Sequence, residues 1–319
     1  LQRRRAGDRS QSMKWLFAQE EIVVRGAQVT WIDEMRSAPA LQIKDIDLRI
    51  ENDGLQHRLG VTGTPPVDLA SKVVVSIEFN GQDLHDFAGS GRVYTEFEYA
   101  NLALAREWVP LPFEIDSGLG VMRLWLDIEN RSLRQIIAET DLVNVSGRLG
   151  ESVDPFALAS VSGRIQWNEE EAVRAIAVSG LTLETADGLR LPPADIRIRI
   201  PRQKESRREI RISSLDLAPL AGLSALLPVG AETRQRIEDF KPAGVIEELT
   251  ASWVKGETSA RELEAKAQFR DLAIDPVGNA PGFSGLGGTM SVNDSGGSLA
   301  LDNGQSRLVY PCLLYTSDA

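Results

Sequence analysis

From Leu158 to Ile200 apolar residues return at every second position: Ile165 and Trp167, Ile176 and Val178, Leu181 and Leu183, then Ile196, Ile198 and Ile200. A spacing of two is the period of a strand, whose successive side chains point to opposite faces, and it does not fit the 3.6-residue period of a helix. The breaks carry turn chemistry: Asn168 followed by three glutamates, and Ala186-Asp187-Gly188, where glycine supplies the positive φ of a tight hairpin. The stretch therefore predicts up-and-down antiparallel β structure with one apolar face per strand.

The same pattern recurs. Gly163-x-Ile165-x-Trp167 is preceded by Gly26 to Val29 and Trp31 and followed by Gly288, Met290 and Val292, at spacings of about 135 and about 125 residues. After each, a strand breaks and resumes as apolar-x-apolar: Ile46-Asp47-Leu48, Leu181-Thr182-Leu183 and Leu299-Ala300-Leu301. A second piece also repeats, Gly120 to Leu142 lying against Gly244 to Phe269, with Ser132, Arg134, Ala138 and Leu142 opposite Ser259, Arg261, Ala265 and Phe269. Self-similarity over so long a period argues for a stacked, repeat-built sheet instead of a closed globule.

Composition narrows the classes. A hydrophobic share of 42% beside 25% charged residues suits a folded chain, and a net charge of −11 argues against a nucleic-acid or anionic-membrane surface, which would need a basic stripe. The single cysteine, Cys312, lies in a tail, residues 311–319, that breaks the strand pattern and reads as a sequencing or cloning artefact; the rest of the chain has no thiol chemistry. The opening LQRRRAGDRSQS, without an initiator methionine, reads as a linker over residues 1–12 of an internal fragment. The longest uncharged run, Leu217 to Ala231, carries Pro219, Gly222, Pro228 and Gly230 and falls short of the roughly 20 apolar residues that a membrane span needs.

The organisation expected is a first β-repeat part over 13–157 and a second over 158–310. Val73, Val75, Ile77 and Phe79 alternate up to Asn80-Gly81, a strong hairpin signal. Two short helices interrupt the strands at corresponding places: Leu102 to Val109, capped by Asn101, and Leu217 to Leu227, capped by Asp216, each following an apolar-x-apolar strand end and covering apolar surface there. A further helix, Glu232 to Phe240, is an insertion in the later copy. The run Arg197 to Arg208 reads as a strand with a solvated outer face and a charged hairpin tip, with contact to lipid headgroups at a groove rim as the other reading.

Signals for catalysis or metal binding are lacking, so no enzyme activity, cofactor or metal is expected. His57 and His85, the only histidines, each sit near a turn without a second ligand at short spacing, which reads as a solvated loop histidine. Gly89-Ser90-Gly91 lacks the spacing of a nucleophile elbow, and the glycines punctuate strands with no helix to receive a phosphate. The acidic turns Glu51 to Gly54 and Asn293 to Gly297 lack the ligand series of a calcium loop. What is left is apolar surface.

Several stretches resemble the YhdP-type members of the AsmA-like superfamily: Phe17 to Ala27 running into Val29-Thr30-Trp31, then Ile43 to Leu48, Leu124-Trp125-Leu126-Asp127, Val161-Ser162-Gly163-Arg164, and Phe240-Lys241-Pro242-Ala243-Gly244. The last departs from the family's usual arginine-containing turn. The resemblance spans about Trp15 to Tyr310. It implies part of a large envelope protein of Gram-negative bacteria, anchored in the inner membrane by a segment outside this chain. In such proteins a long periplasmic sheet is curled into an open hydrophobic groove that moves phospholipid between inner and outer membranes.

The residue pattern accommodates that role. Exposing a sixteen-carbon acyl chain costs on the order of 12 kcal/mol at about 0.8 kcal/mol per methylene, so a conduit needs a continuous apolar lining. Roughly sixteen strands at about 4.8 Å each would supply about 75 Å of it. The candidate lining is Val29, Trp31, Ile77, Phe97, Leu124, Leu126, Ile165, Trp167, Ile176, Val178, Leu181, Leu183, Ile196, Ile198 and Ile200. Phospholipids are the expected partners. The competing expectation is a structural or adhesive β-repeat or β-sandwich, in which the same alternation closes a core and Trp31, Trp125, Trp167 and Trp253 fill it.

Overall fold

A computed structural model describes residues 15–32, 38–81, 90–107, 114–130, 132–148, 155–203, 206–224, 230–255, 260–302 and 306–310. The expected linker at 1–12, the tail at 311–319, His85 and the far ends of both predicted helices lie outside the described residues. The chain forms an antiparallel sheet of sixteen strands, hydrogen-bonded in sequence order from β1 to β15, with β16 returning to β14 and no closure into a barrel. By contacts it divides into two compact units, Leu1–Gly147 with Ser160–Glu170, and Arg148–Ala159 with Glu171–Ala319.

The first unit contains β1 (Glu21–Trp31), β2 (Leu41–Asp53), β3 (Gln56–Thr64), β4 (Val73–Asn80), β5 (Ser90–Asn101), β6 (Glu114–Glu129), β7 (Ser132–Arg148) and most of β8 (Phe156–Glu169). The second contains β9 (Val173–Thr185), β10 (Arg190–Pro201), β11 (Arg207–Asp216), β12 (Ala243–Lys255), β13 (Ala260–Ile274), β14 (Gly282–Asn293), β15 (Gly296–Leu301) and β16 (Arg307–Val309). Three helices interrupt them: α1 (Leu102–Ala105), α2 (Leu217–Gly222) and α3 (Ala231–Phe240).

Strands this long stay in phase only because they are corrected. In β1 apolar residues occupy even positions, Ile22 and Val24, and then odd ones, Ala27, Val29 and Trp31. The switch falls at Gly26, whose φ of +62° suits glycine and whose N–H donates to Asp47 Oδ1 at 3.0 Å. Strand β2 makes the matching switch beside Asp45, at φ +50°, so that Val29 pairs with Ile43 and Trp31 with Leu41. The second unit uses the same device: Gly180, at φ +60°, donates its N–H to Asp195 Oδ1 at 2.8 Å and carries β9 from Val178 to Leu181. Each bulge inserts one residue, which returns the following apolar side chains to the face they would otherwise leave. The broken apolar-x-apolar pattern of the sequence is the trace of these bulges.

Both caps form as the sequence predicts. Asn101 Oδ1 accepts from the Leu104 N–H at 3.4 Å, and Asp216 Oδ1 accepts from the Ala218 N–H at 3.2 Å. Helix α1 packs on β6 with Leu102 buried, and α2 packs on β10 and β12 with Leu223 buried beside it. The repeat is also visible, with one adjustment. Hairpin β6–β7 is followed by helix-preceded hairpin β12–β13 six strands later, and β14 follows β8 by six. The Gly26–Trp31 segment lies in β1, seven strands before β8, so its likeness to Gly163–Trp167 is one of strand chemistry and not of position in the repeat.

Replacing Gly180 by valine should cost about 1–2 kcal/mol, because a β-branched residue is forced into the left-handed region. Gly60→Val, at an extended position with open space around it, should stay within about 0.5 kcal/mol. Thermal unfolding of the two variants checks the difference.

Candidate functional site

Cross-strand register assigns every side chain to a face, because directly paired residues point the same way. In the first unit one row runs Ile22, Ile50, Leu59, Ile77, Val93, Leu126 from β1 to β6, and the next runs Val24, Leu48, Val61, Val75, Thr95, Leu124. The opposite face carries Glu21, Glu51, Arg58, Glu78, Arg92 and Asp127 in a single row. One face is apolar over six consecutive strands and the other is charged.

The second unit repeats the separation. Val178, Ile196, Ile212, Leu249, Ala267, Met290 and Leu299 form one row over seven strands, with Ile176, Ile198, Ile210, Ala251, Ala265 and Val292 beside it. Behind them lie Arg197, Arg211, Thr250, Lys266 and Ser291.

Among the described residues most of these positions are not covered; Ile50 and Ala267, at 3% and 7% exposed, are the two buried exceptions. Leu59, Ile77, Val93, Leu126, Ile176, Ile198, Ile210 and Leu249 are all only half-buried, and Met290 and Leu299 are 37% and 57% exposed. In a closed sandwich the middle of each strand would be the most buried part. Here the buried apolar residues gather mainly toward the strand ends: Ala100, Leu102 and Ile115 near α1, and Leu191, Ala194, Leu215 and Phe269 in the strands around α2. Each unit thus has an apolar face closed at the helix-bearing end and open in mid-strand.

All fifteen candidate residues fall on this face of their own unit. Val29, Trp31, Ile77, Phe97, Leu124 and Leu126 are placed by register in the first, as are Ile176, Val178, Leu181, Leu183, Ile196, Ile198 and Ile200 in the second. Ile165 and Trp167 follow from alternation, since Arg164, just before Ile165, donates to Glu139 of β7 at 2.6 Å and lies 5.8 Å from the Trp125 ring on the charged face. Exposure is greatest at Val29, Trp31 and Ile165, at 48%, 49% and 47%. The sequence selection omitted equal members such as Leu48, Val61, Ile210 and Ile212, which the same alternation would have found.

Two aromatic groups depart from the sequence expectation. Trp125 is no core filler: it sits on the charged face against Tyr94, ring centroids 5.1 Å apart. His57 is no solvated loop residue but the most buried large side chain, 2% exposed, between Phe17 and Phe79. Its Nδ1 lies 2.6 Å from Asn52 Oδ1 and its Nε2 3.0 Å from the Gly81 carbonyl, while Asn52 Nδ2 donates to the carbonyls of Leu16 and Gln19. The turn at residues 15–17 folds over this end of the apolar face, and only that packing distinguishes His57 from a turn residue.

The charged face is laced by cross-strand ion pairs. Arg49 reaches Glu21 at 2.9 Å and Glu51 at 2.8 Å, separating two adjacent carboxylates, and Arg92 reaches Asp127 at 2.9 Å. Glu96 accepts from Tyr94 Oη at 2.7 Å and Arg123 Nε at 2.8 Å; the tyrosine bond first and the arginine second hold its carboxyl below the ordinary glutamate range. Shallow hollows of about 450 and 530 Å³ also occur, bordered by Glu248 and Lys266 in one and by Glu21, Asp47 and Arg49 in the other. Their linings mix these charged groups with apolar side chains, Met290 in the first and Val23, Val24 and Val74 in the second. Among the described residues no group of three or more His, Cys, Asp or Glu is placed to hold a metal ion, and no helix is long and apolar enough to cross a membrane.

A family model described as YhdP protein matches residues 2–316. The chain belongs to the YhdP protein family. No curated protein and no solved structure matches it. YhdP is a family of envelope proteins, and in this member the feature that dominates each unit is an uncovered apolar sheet face.

Two measurements follow from the site. Ile198→Asp, on the open part of the face, should cost only about 1 kcal/mol, because water can reach the carboxylate. Phe269→Asp, at a position 4% exposed, should cost several kcal/mol by burying an unpaired charge; chemical denaturation of both separates an open face from a closed core. For Glu96 the sign is that of a depressed carboxylate: its stabilisation is present above the ordinary glutamate pKa and is lost as pH falls through the lowered value. An acid titration followed by Trp125 fluorescence should therefore show the β5–β6 change in wild type and not in Glu96→Gln.

Proposed function

We propose that this chain is a section of a periplasmic β-groove that shields acyl chains and conducts phospholipid between the inner and outer membranes. The observation that carries the reading is the uncovered apolar face, kept continuous by register over six strands in one unit and seven in the other. A small-ligand site would be a concave pocket with a few converging polar groups. Rows of Ile, Leu and Val open in mid-strand instead match a ligand that is long, apolar and without fixed position. Each methylene taken from water onto such a surface is stabilised by about 0.8 kcal/mol, and no single side chain is indispensable. The residues act by solvation and hold no catalytic role. An anchor outside this chain would attach the parent protein to the inner membrane.

The alternative, a structural or adhesive β-repeat, requires the same faces to close against each other. Incomplete burial of most central-row residues speaks against it. Native mass spectrometry of the purified chain decides: several phospholipids should be carried per chain, and Ile198→Asp should stay folded while carrying fewer. A wild-type chain that flies free of lipid after gentle purification would reject the conduit in favour of the adhesive repeat.

A further inference from the structure

The apolar face of the second unit is not apolar to its end. One register step beyond the Ile176–Ile198–Ile210–Ala251 row, toward the hairpin tips, Arg174 pairs with Ile200 and Arg208 pairs with Trp253. The last register pair between β10 and β11, Arg199 with Glu209, brings Ile200 beside Arg208. Two guanidinium groups and an indole therefore share one row on the side of the sheet that otherwise presents Ile, Val, Leu and Ala. The other arginines of these strands, Arg190, Arg197, Arg199, Arg207 and Arg211, point to the charged face, where Arg190 pairs with Glu184 and Arg207 with Glu262 and Glu264.

Arg208 is the unusual member. It is half-buried on an apolar surface, and its guanidinium has no hydrogen-bond or ion-pair partner among the described residues, whereas Arg174 is engaged in an interaction of its own. A half-desolvated guanidinium presents a planar fork of donors that matches the oxygens of a phosphate bidentately, and a tryptophan beside it suits the boundary between an apolar and a polar layer. At the corresponding end of the first unit Asn52, His57 and Phe79 fill the row in β2 to β4, with Phe17 packed on His57 and Phe79, and the arginine that alternation places on that face of β7, Arg134, is engaged with Glu129 at 3.4 Å and with the Glu169 carbonyl, unlike Arg208.

We infer that Arg208, supported by Arg174 and Trp253, is a headgroup site that holds the phosphodiester of a glycerophospholipid whose acyl chains lie along β10, β11 and β12 toward α2. The assignment rests on the lipid-conduit reading and specifies where a lipid pauses and what part of it is recognised. Dimensions agree. From Arg208 to the buried Leu215 the strand spans about 23 Å, which leaves room for the about 15 Å of hydrocarbon in one bilayer leaflet. Charge complementarity is local, because the chain as a whole, at −11, repels anions.

The test compares the full chain with Arg208→Gln and Arg208→Met in competition binding of dioleoyl phosphatidylglycerol and dioleoylglycerol, which share acyl chains and differ in the phosphate. Wild type should prefer the phospholipid by about tenfold, and both variants should lose that preference while binding dioleoylglycerol as before. Methionine suits an apolar face, so that variant keeps the test valid should glutamine disturb the fold. If wild type binds both lipids and the variants leave their ratio unchanged, the headgroup site is wrong and the conduit stands. Binding of neither lipid would overturn both. If inorganic phosphate at millimolar concentration binds with the same dependence on Arg208 and displaces no lipid, the occupant is the free anion and the lipid assignment fails.

Discussion

Everything in this structure depends on cross-strand register. A strand has only two faces, and a slip of one residue exchanges them, so an apolar row six or seven strands wide exists only if every neighbouring pair is held in step. Cross-strand pairs of Ile, Leu and Val contribute on one side, and arginine–carboxylate pairs such as Arg92 with Asp127 and Arg123 with Glu96 on the other. Each exposed ion pair is worth little by itself. Together they penalise the slipped alignments, in which like charges would meet and apolar side chains would leave their row.

Length creates a second problem, because long strands twist and drift. The chain answers with bulges whose left-handed residues are fixed locally: Gly26 held by Asp47, and Gly180 held by Asp195. An aspartate accepting from the glycine N–H pins the bulge where the apolar phase changes. The result is that Val178 and Leu181, three residues apart, lie on the same face. The arrangement lets a strand of thirteen residues present one chemistry throughout.

Closure is confined to the ends. Short helices α1 and α2 pack where the face is most buried, and the turn at 15–17 seals His57 and Phe79. Among the described residues nothing comparable is placed over the rows in mid-strand. A globular domain would bring a second layer there, since an apolar sheet face left wet is unfavourable. An envelope protein whose ligand is itself apolar has a physical reason to leave it open, and that reason links the fold to the proposed conduit.

Alternation in the sequence determined the strands, their antiparallel order and the opposition of faces, because a period of two can be read from neighbours alone. Cap chemistry likewise marked Asn101 and Asp216, whose hydrogen bonds reach only two or three residues along the chain. Three things needed the tertiary structure. Alternation is the same whether a face is covered or open, so only burial separates this sheet from a sandwich. Trp125 and Trp167 read alike as aromatic strand residues, and pairing with Tyr94 and Arg164 puts the first on the charged face. Arg208 reads as one of a run of basic residues at a hairpin tip; register to Trp253, forty-five positions away, puts it on the apolar face. Such partners are distant in sequence, and the free energy that fixes them resides in long-range pairing that no local pattern records.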